Sequence, residues 1–150
     1  MVRLAAAMDD RFYGVIPVAR GEKDSYLFLL VHRRDGRWVF PRGRVVGSEI
    51  PEEAASRELK EQTGIGAFHI IPYLSFSDHC LVEKDGRITS EDVKYFLALV
   101  KRQPLVSGKD EIKECKWATF REVLELLPSS SAKSLLEGCI QYLESHKERF

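Results

Sequence analysis

Apolar residues along the chain fall into short runs separated by polar turns, a pattern typical of β-strands. Runs rich in β-branched and aromatic residues lie at 12–20, 26–32, 38–40, 68–76, 93–101 and 115–118. Asp35-Gly36, between the second and third runs, is a dipeptide favoured in hairpin turns. The pattern therefore predicts strands at these positions, with residues 83–87 in the loop that joins the fourth strand to the fifth.

A helix is predicted to begin at Pro51 and to run to about Thr63. Proline suits the first turn of a helix, where its missing N–H group has no intrahelical partner to lose. Gly64 is well placed to end the helix, since glycine readily adopts the left-handed conformation of a C-cap. Ala55 and Leu59 lie one turn apart, so we expect them to form the buried stripe of this helix.

Two more helices are predicted near the C-terminus. One covers 120–127 and is stopped by Pro128, and the next follows Ser129-Ser130-Ser131, whose hydroxyls are suitable N-caps. The apolar positions of the last helix recur at helical spacing, which predicts one buried side. Its members are Leu135, Leu136, Cys139, Ile140 and Leu143.

Strands interleaved with helices in this order predict an α/β fold in which a mixed β-sheet lies between helices. A chain of 150 residues is long enough for one such domain with a sizeable core. We find no internal repeat and no linker, so residues 1–150 are predicted to form a single domain. Asp9 and Asp10 end the short apolar run at the N-terminus, and residues 1–10 are therefore predicted to be a flexible leader.

Composition narrows the possible environments and partners. Lysine plus arginine balances aspartate plus glutamate at 23 each, so no overall field attracts nucleic acid or an anionic membrane. No segment approaches the ~18 apolar residues of a membrane span. The three cysteines are odd in number and widely spaced, which favours reduced thiols and a cytoplasmic protein. We also expect a monomer.

The segment 43–65 carries the most specific pattern in the chain. It reads Gly43, five residues, Glu49, seven residues, and then Arg57-Glu58-Leu59-Lys60-Glu61-Gln62-Thr63-Gly64-Ile65. This segment resembles the box of the Nudix hydrolase superfamily, G-x5-E-x7-R-E-U-x-E-E-x-G-U, where U is aliphatic. Every fixed position matches except one, at which Gln62 replaces the last glutamate.

The resemblance implies a Nudix α/β/α sandwich and a divalent cation, Mg²⁺ or alternatively Mn²⁺, held against a substrate diphosphate. Glu58, Glu61 and Gln62 lie at i, i+3 and i+4 on one helix face, and oxygen ligands gathered in this way suit magnesium. Without the rest of the box, such acidic residues would more often form a solvated helix face. Val46, where many members have an acidic residue, and Gln62 both remove negative charge, so we expect weaker metal binding than in a typical member.

The family roles map onto this chain by position. Glu58 and Glu61 match metal ligands, and the carbonyl of Gly43 is a metal ligand in many members. Gln62 can offer only a neutral amide oxygen. Arg57 matches an arginine that braces the loop through ion pairs, and Glu49 is expected to share that role.

Residues outside the box resemble the diadenosine tetraphosphate (Ap4A) hydrolases of the superfamily. The lead-in Phe40-Pro41-Arg42-Gly43-Arg44 is similar to a segment whose basic residues contact phosphates, which implies that Arg42 and Arg44 bind substrate. The alternative is that both arginines lie on a solvated loop.

Two further positions follow from the same resemblance. Tyr95 lies in a strand similar to one whose tyrosine lines the adenine pocket, and its alternative is an ordinary core aromatic. Glu111 matches a glutamate that serves as metal ligand or general base, although Ile112 replaces the histidine that follows it in the family. The alternative for Glu111 is a surface glutamate.

These observations predict a Mg²⁺-dependent pyrophosphohydrolase that cleaves dinucleoside polyphosphates such as Ap4A to ATP and AMP, with activity reduced by Gln62. One alternative is hydrolysis of another nucleoside diphosphate derivative, such as an RNA 5′ end, although the neutral net charge disfavours a nucleic-acid partner. Another is a nucleotide-binding or regulatory module that has lost catalysis. Tight nucleotide binding without turnover would distinguish the module from both enzymes.

Overall fold

The computed structural model describes residues 11–106, 108–127 and 129–147, apart from the side chain of Lys84. Seven strands and three helices follow one another along this part of the chain. The strands are β1 (Arg11–Arg20), β2 (Tyr26–Arg33), β3 (Trp38–Val39), β4 (Arg42–Gly43), β5 (Phe68–Lys84), β6 (Arg87–Val100) and β7 (Ile112–Ala118). The helices are α1 (Pro51–Thr63), α2 (Phe120–Leu126) and α3 (Ala132–Ser145).

The strands form one mixed sheet with β1 near its centre. β1 runs parallel to β6 and antiparallel to β2 and β4. The path through the sheet is β3-β2-β1-β6-β5, while β4 pairs with β1 and β7 pairs with β2. β4 is a strand that the apolar pattern did not indicate, and its pairing with β1 places Gly43 directly opposite Tyr13.

Helices cover both faces of the sheet. Ala55 and Leu59 of α1 are fully buried and pack with Val15 and Leu29 on one face. On the other face, α2 and α3 enclose a larger cluster that includes Phe28, Leu30, Val123, Leu136 and Leu143. Burying one such leucine side chain contributes about 1.5–3 kcal/mol. The predicted α/β sandwich with a mixed sheet between helices is confirmed.

The ends of α1 follow the sequence expectations. The helix starts at Pro51, and the side chain of Glu53 accepts a hydrogen bond from the backbone N–H of Ile50 (2.9 Å). Gly64 ends the helix in the left-handed conformation, φ +78°, and its N–H donates to the carbonyl of Lys60. Because both ends of α1 are fixed, the helix cannot turn about its axis, and the face that carries Glu58 stays directed at β4.

The prediction that residues 83–87 lie in a loop between two strands is wrong. β5 and β6 instead continue to Lys84 and Arg87, and Asp85 and Gly86 alone make the turn with positive φ angles of 53° and 77°. Positive φ at both central residues suits a tight hairpin turn, and Asp-Gly is a favoured pair for it. The extended part of the hairpin pairs through its backbone while Leu81 and Ile88 remain exposed, so the apolar pattern did not show it.

The register of this hairpin is interrupted between Ile70 and Ser75. Ile70 pairs with Ala98 and Ser75 with Phe96, so residues 71–74 of β5 bulge out of the ladder. Tyr73, in the middle of the bulge, has φ +58° and is fully exposed.

The C-terminal helices lie close to their predicted positions. Thr119 caps α2 and exchanges hydrogen bonds with Glu122. α3 begins after Ser131, but no serine side chain caps it; Ser129 and Ser131 bond to Asp78 instead. Pro128 and the predicted leader lie outside the described residues. No helix within the described residues is long and apolar enough to cross a membrane.

Candidate active site

The loop between β4 and α1 is held by an ion pair between Arg57 and Glu49. The Nε and Nη2 atoms of Arg57 lie 2.6 and 3.0 Å from the two carboxylate oxygens of Glu49. Nη2 also donates to the carbonyl of Arg44 (2.9 Å), and Glu49 accepts the N–H of Val46 (2.8 Å). Two parallel bonds from a planar guanidinium fix both side chains in one orientation. This is the bracing arrangement that the resemblance implies for Arg57.

These contacts shift the ionisation of both partners. The Arg57 guanidinium and the Val46 N–H hold the pKa of Glu49 below its usual value. The hydrogen bonds to Glu49 raise the pKa of Arg57 further above its already high value. The pair is therefore fully charged at neutral pH.

Glu58 and Glu61 project from the same face of α1 and share one cation, the ammonium of Lys109. Nζ of Lys109 lies 2.7 Å from Oε1 of Glu58 and 3.0 Å from Oε2 of Glu61. The Glu58 side chain is only 8% exposed, whereas that of Glu61 is 41% exposed. A nearly buried carboxylate requires a counter-charge, and Lys109 provides it together with Nη1 of Arg57, 3.3 Å away.

The ion pairs with Lys109 also shift the pKa values of the groups that form them. Hydrogen bonding with Lys109 keeps the pKa of Glu61 below its usual value. Partial burial acts to lower the pKa of Lys109, but its bonds to Glu58 and Glu61 outweigh burial and raise it. The Glu61 carboxylate and the Lys109 ammonium therefore remain ionised near pH 7.

Gln62 lies behind Glu58 and is 1% exposed. Its amide nitrogen donates to Oε1 of Glu58 (3.0 Å) and to the backbone carbonyl of Arg42 (2.9 Å). Both neighbours are acceptors, so the nitrogen rather than the oxygen of the amide must face them. In this arrangement Gln62 orients Glu58 and ties α1 to β4, which differs from the predicted role of a metal ligand through its amide oxygen.

Glu111 stands at the edge of the same cluster. Its Oε1 atom lies 3.8 Å from Nζ of Lys109, and its side chain is 52% exposed. The backbone carbonyl of Glu111 accepts the N–H of Arg34 (2.9 Å), which anchors this segment to the end of β2. The structure thus brings Glu111 to Glu58 and Glu61 across 50 residues of sequence.

The donor set suits a hard divalent cation, but its present geometry suits an ammonium. Glu58 and Glu61 supply carboxylate oxygens, and Gly43 lies so close to Glu58 that a Cβ at position 43 would overlap the carboxylate. Within the described residues, however, no three acidic, histidine or cysteine side chains are arranged to hold a metal ion. The chemistry fits magnesium if Lys109 moves away from the carboxylates.

The side chains of Arg42 and Tyr95 lie away from the cluster of Glu58, Glu61 and Lys109. Arg42 is 6% exposed, forms an ion pair with Glu91, and hydrogen-bonds to Tyr95. Tyr95 is 2% exposed and packs edge-on against Phe40, with ring centroids 5.5 Å apart. Burial raises the pKa of the Tyr95 hydroxyl. Both side chains occupy the positions of core residues, so contact with substrate would require the surrounding side chains to open.

Arg44 differs from Arg42 because it lies on the exposed side of the loop. Its guanidinium carbon lies 5.0 Å from the centre of the Phe12 ring. Phe12 and Tyr13 line a cleft of about 530 Å³ that also includes Pro51 at the start of α1, together with His79 and Asp92 from the β5–β6 hairpin. The volume is in the range of small-molecule sites. The cleft adjoins the box loop, since Tyr13 pairs with Gly43.

Sequence reasoning missed Lys109 and Glu91. A lysine in an irregular segment carries no pattern of its own, and the signal that could have found Lys109 is its position two residues before Glu111. Glu91 was hidden because it falls in the predicted loop region near 83–87, although it is 8% exposed and pairs with Arg42. An acidic residue facing a buried arginine becomes visible only when the strand register is known.

Comparison with known proteins assigns the family. The NUDIX domain model matches residues 10–137, so the chain belongs to the NUDIX family. NUDIX hydrolases act on phosphoanhydride bonds, and this chain retains Arg57, Glu58 and Glu61 of the box.

Two relatives are similar over most of this chain. The asymmetrical bis(5′-nucleosyl)-tetraphosphatase of Rattus norvegicus is 30% identical over 119 residues, which cover 77% of this chain and 80% of the rat protein. The "Putative mutator protein MutT4" of Mycobacterium tuberculosis is 29% identical over 127 residues. That match covers 82% of this chain but only 50% of the mycobacterial protein, so the chain spans half the length of that relative.

Solved structures with the same fold include several members of the family. The Ap4A hydrolase of C. elegans, in a binary complex, superposes with a TM-score of 0.76 at 23% identity, covering 90% of this chain and 98% of that one. The NUDIX domain of Shewanella oneidensis NrtR, complexed with ADP ribose, gives a TM-score of 0.67 at 16% identity, covering 95% and 94%. At these identities the likeness concerns the fold alone.

Proposed function

We propose that the chain is a Mg²⁺-dependent pyrophosphohydrolase of dinucleoside polyphosphates that cleaves Ap4A to ATP and AMP. The observation that carries the proposal is the pairing of Glu58 and Glu61 on one face of α1, against Gly43 and beside the loop braced by Arg57 and Glu49. The similarity to the rat asymmetrical tetraphosphatase over most of both chains supports this substrate class.

Each residue of the site has a distinct task in the proposed reaction. Glu58 and Glu61 hold the cation, which when bound neutralises phosphate charge and lowers the pKa of a water molecule. Glu111, exposed at the edge of the cluster, is suited to accept the proton of the attacking water. Arg44, on the exposed side of the box loop, is suited to bind a phosphate oxygen. Arg57 contacts the loop rather than the substrate and acts as a positioning residue.

The cleft beside Phe12 and Tyr13 is the proposed site of one nucleoside. It is large enough for a base and ribose, and one of its lining residues, Tyr13, pairs with Gly43 in the sheet. A base could stack on the partly exposed ring of Phe12, since aromatic faces are common platforms for bases. Tyr95 retains its predicted role only if the core around it opens.

The experiment is turnover of Ap4A with Mg²⁺, with products resolved by chromatography. The chain is expected to give equal amounts of ATP and AMP, and Glu58→Gln is expected to lose at least about 100-fold in rate because a metal ligand is removed. Glu52→Gln, on an exposed position of the same helix, is the matched control and should retain activity. Intact Ap4A with both Mg²⁺ and Mn²⁺ would sink the proposal.

A second candidate is a nucleotide-binding module without efficient catalysis. Two observations favour it: Gln62 is neutral and donates to Glu58, and the Lys109 ammonium lies between the carboxylates. Calorimetry with a non-hydrolysable Ap4A analogue distinguishes the candidates. Tight binding without turnover of Ap4A, and no gain in turnover for Gln62→Glu, would favour the module.

A further inference from the structure

The ammonium of Lys109 is surrounded by three carboxylates. It lies 2.7 Å from Glu58, 3.0 Å from Glu61 and 3.8 Å from Glu111. An ammonium carries three N–H donors, so it can satisfy oxygens that converge from several directions. These acidic side chains are the ones that would bind a divalent cation.

Backbone contacts keep Lys109 beside α1. The N–H of Val106 donates to the carbonyl of Thr63 at the end of the helix (2.9 Å), and Gly108 approaches the carbonyl of Glu61 so closely that a Cβ would collide with it. After Lys109, the N–H of Ile112 donates to the Lys109 carbonyl (3.0 Å), which forms a turn into β7. The Lys109 side chain therefore starts from a fixed point next to Glu61.

Two cations partly offset the negative charge of the site, where Glu49 and Glu111 lie near Glu58 and Glu61. Glu58 and Glu61 contribute two negative charges, while Gln62 contributes none. Lys109 and the Arg57 guanidinium, which is 3.3 Å from both carboxylates, supply positive charge. A divalent cation bound to Glu58 and Glu61 would meet the ammonium at a distance where like charges repel strongly.

We propose that Lys109 is an internal counter-ion of the carboxylate site, and that a divalent cation binds only when the Lys109 side chain leaves Glu58 and Glu61. The flexible four-carbon stem of lysine permits this exchange without movement of the backbone. The proposal rests on the metal dependence of the proposed function but not on its substrate. It assigns to Lys109 the control of metal affinity.

Metal binding without nucleotide tests the proposal directly. Free Mn²⁺ is measured by electron paramagnetic resonance during titration of the protein. Removing a positive charge beside the site is expected to lower the Kd for Mn²⁺ about tenfold in Lys109→Met. Lys133→Met removes the same charge from an exposed position on α3, across the sheet, and should leave the Kd unchanged. Equal Kd values for the wild-type protein and Lys109→Met would overturn the proposal.

A second measurement uses the wild-type protein, so it does not depend on the folding of a variant. Reductive methylation followed by peptide mass spectrometry reports how accessible each lysine is. Mg²⁺ is expected to increase the modification of Lys109 severalfold relative to Lys133, because the displaced ammonium no longer bonds to the carboxylates. A Lys109 rate that is unchanged or lower with saturating Mg²⁺ would contradict the exchange.

The outcomes separate this inference from the proposed function. Tighter Mn²⁺ binding in Lys109→Met with no hydrolysis of Ap4A would support the counter-ion and reject the substrate. Hydrolysis of Ap4A with equal Mn²⁺ affinities would reject the counter-ion alone.

Discussion

The amide nitrogen of Gln62 lies 3.0 Å from Oε1 of Glu58, one helical turn earlier on α1. The same nitrogen lies 2.9 Å from the carbonyl oxygen of Arg42. The residue that interrupts the box therefore satisfies two acceptors in a nearly inaccessible position. A glutamate there would face a carboxylate and a carbonyl with no proton to share.

Gln62→Glu is expected to lower the stability of the metal-free protein and to strengthen its binding of a divalent cation. Without metal, the new carboxylate replaces a hydrogen bond by repulsion from Glu58, and the free energy of unfolding should fall by about 1–3 kcal/mol. Divalent cation should reverse the loss because it binds both carboxylates. Urea denaturation in EDTA and in Mg²⁺ measures the difference. Gln141→Glu, on an exposed position of α3, controls for added charge, and equal stability of Gln62→Glu in both buffers would contradict the prediction.

Gly43→Ala is expected to impair the site while leaving the core unchanged. A Cβ at position 43 would overlap the Glu58 carboxylate, which Lys109 and Gln62 hold in place. Turnover of Ap4A should therefore fall at least about tenfold, as when the support of a ligand is disturbed. Gly66→Ala, where a Cβ meets no atom within 4 Å, is the matched control. Full activity in Gly43→Ala would show that Glu58 can move at little cost.

Arg57→Lys should weaken catalysis although it keeps the charge. Lysine cannot reproduce the two parallel bonds to Glu49 together with the bond to the Arg44 carbonyl. We expect kcat/KM for Ap4A to fall about tenfold, since residues that orient ligands typically contribute this much. Arg121→Lys, on the exposed side of α2, should be neutral. Unchanged kinetics for Arg57→Lys would mean that the loop needs only the charge.

Stability should decline in acid partly through Glu122. The Thr119 N–H and the Lys116 ammonium hold the pKa of Glu122 below its unfolded value of 4.5. A lowered pKa contributes stability above the unfolded value, and that contribution disappears as the pH falls through the folded value. The loss is therefore expected below about pH 4.5. Thermal unfolding from about pH 7 to about pH 3 should show a shallower decline for Glu122→Gln than for the wild-type protein. Parallel curves would exclude this contribution.

Most of the fold could be predicted because burial and periodicity agree locally. Three elements show this: the strands that begin near Phe12 and Tyr26, and the helix from Pro51 to Thr63. The apolar positions of each follow the period of that element, and turn or helix-ending residues lie at its ends. The β5–β6 hairpin was underestimated because Leu81 and Ile88 in its outer part are exposed, so no alternation of buried apolar positions marks this part. Such a strand is stabilised by backbone hydrogen bonds, which do not depend on side-chain type and so leave no pattern in the sequence.

The site was predictable where residues are close in sequence and not where they meet through the fold. Glu49, Arg57, Glu58 and Glu61 belong to one segment, and helix geometry alone brings three of them together. The ion pairs of Lys109 with Glu58 and of Arg42 with Glu91 span 51 and 49 residues. The burial of Arg42 and Tyr95 depends on such contacts, so the sequence could not distinguish a phosphate-binding arginine from a buried one.

We expect β5 to tolerate a change in length at Tyr73, in the bulge at residues 71–74. The pairs Ile70–Ala98 and Ser75–Phe96 fix the ladder on either side, while Tyr73 points fully into solvent between them. A short peptide inserted at Tyr73 would extend away from the sheet without shifting either pair, as exposed loop tips generally allow. The bulge therefore offers an attachment point for an affinity tag or a fluorescent dye, by which the protein can be immobilised or tracked with its box intact.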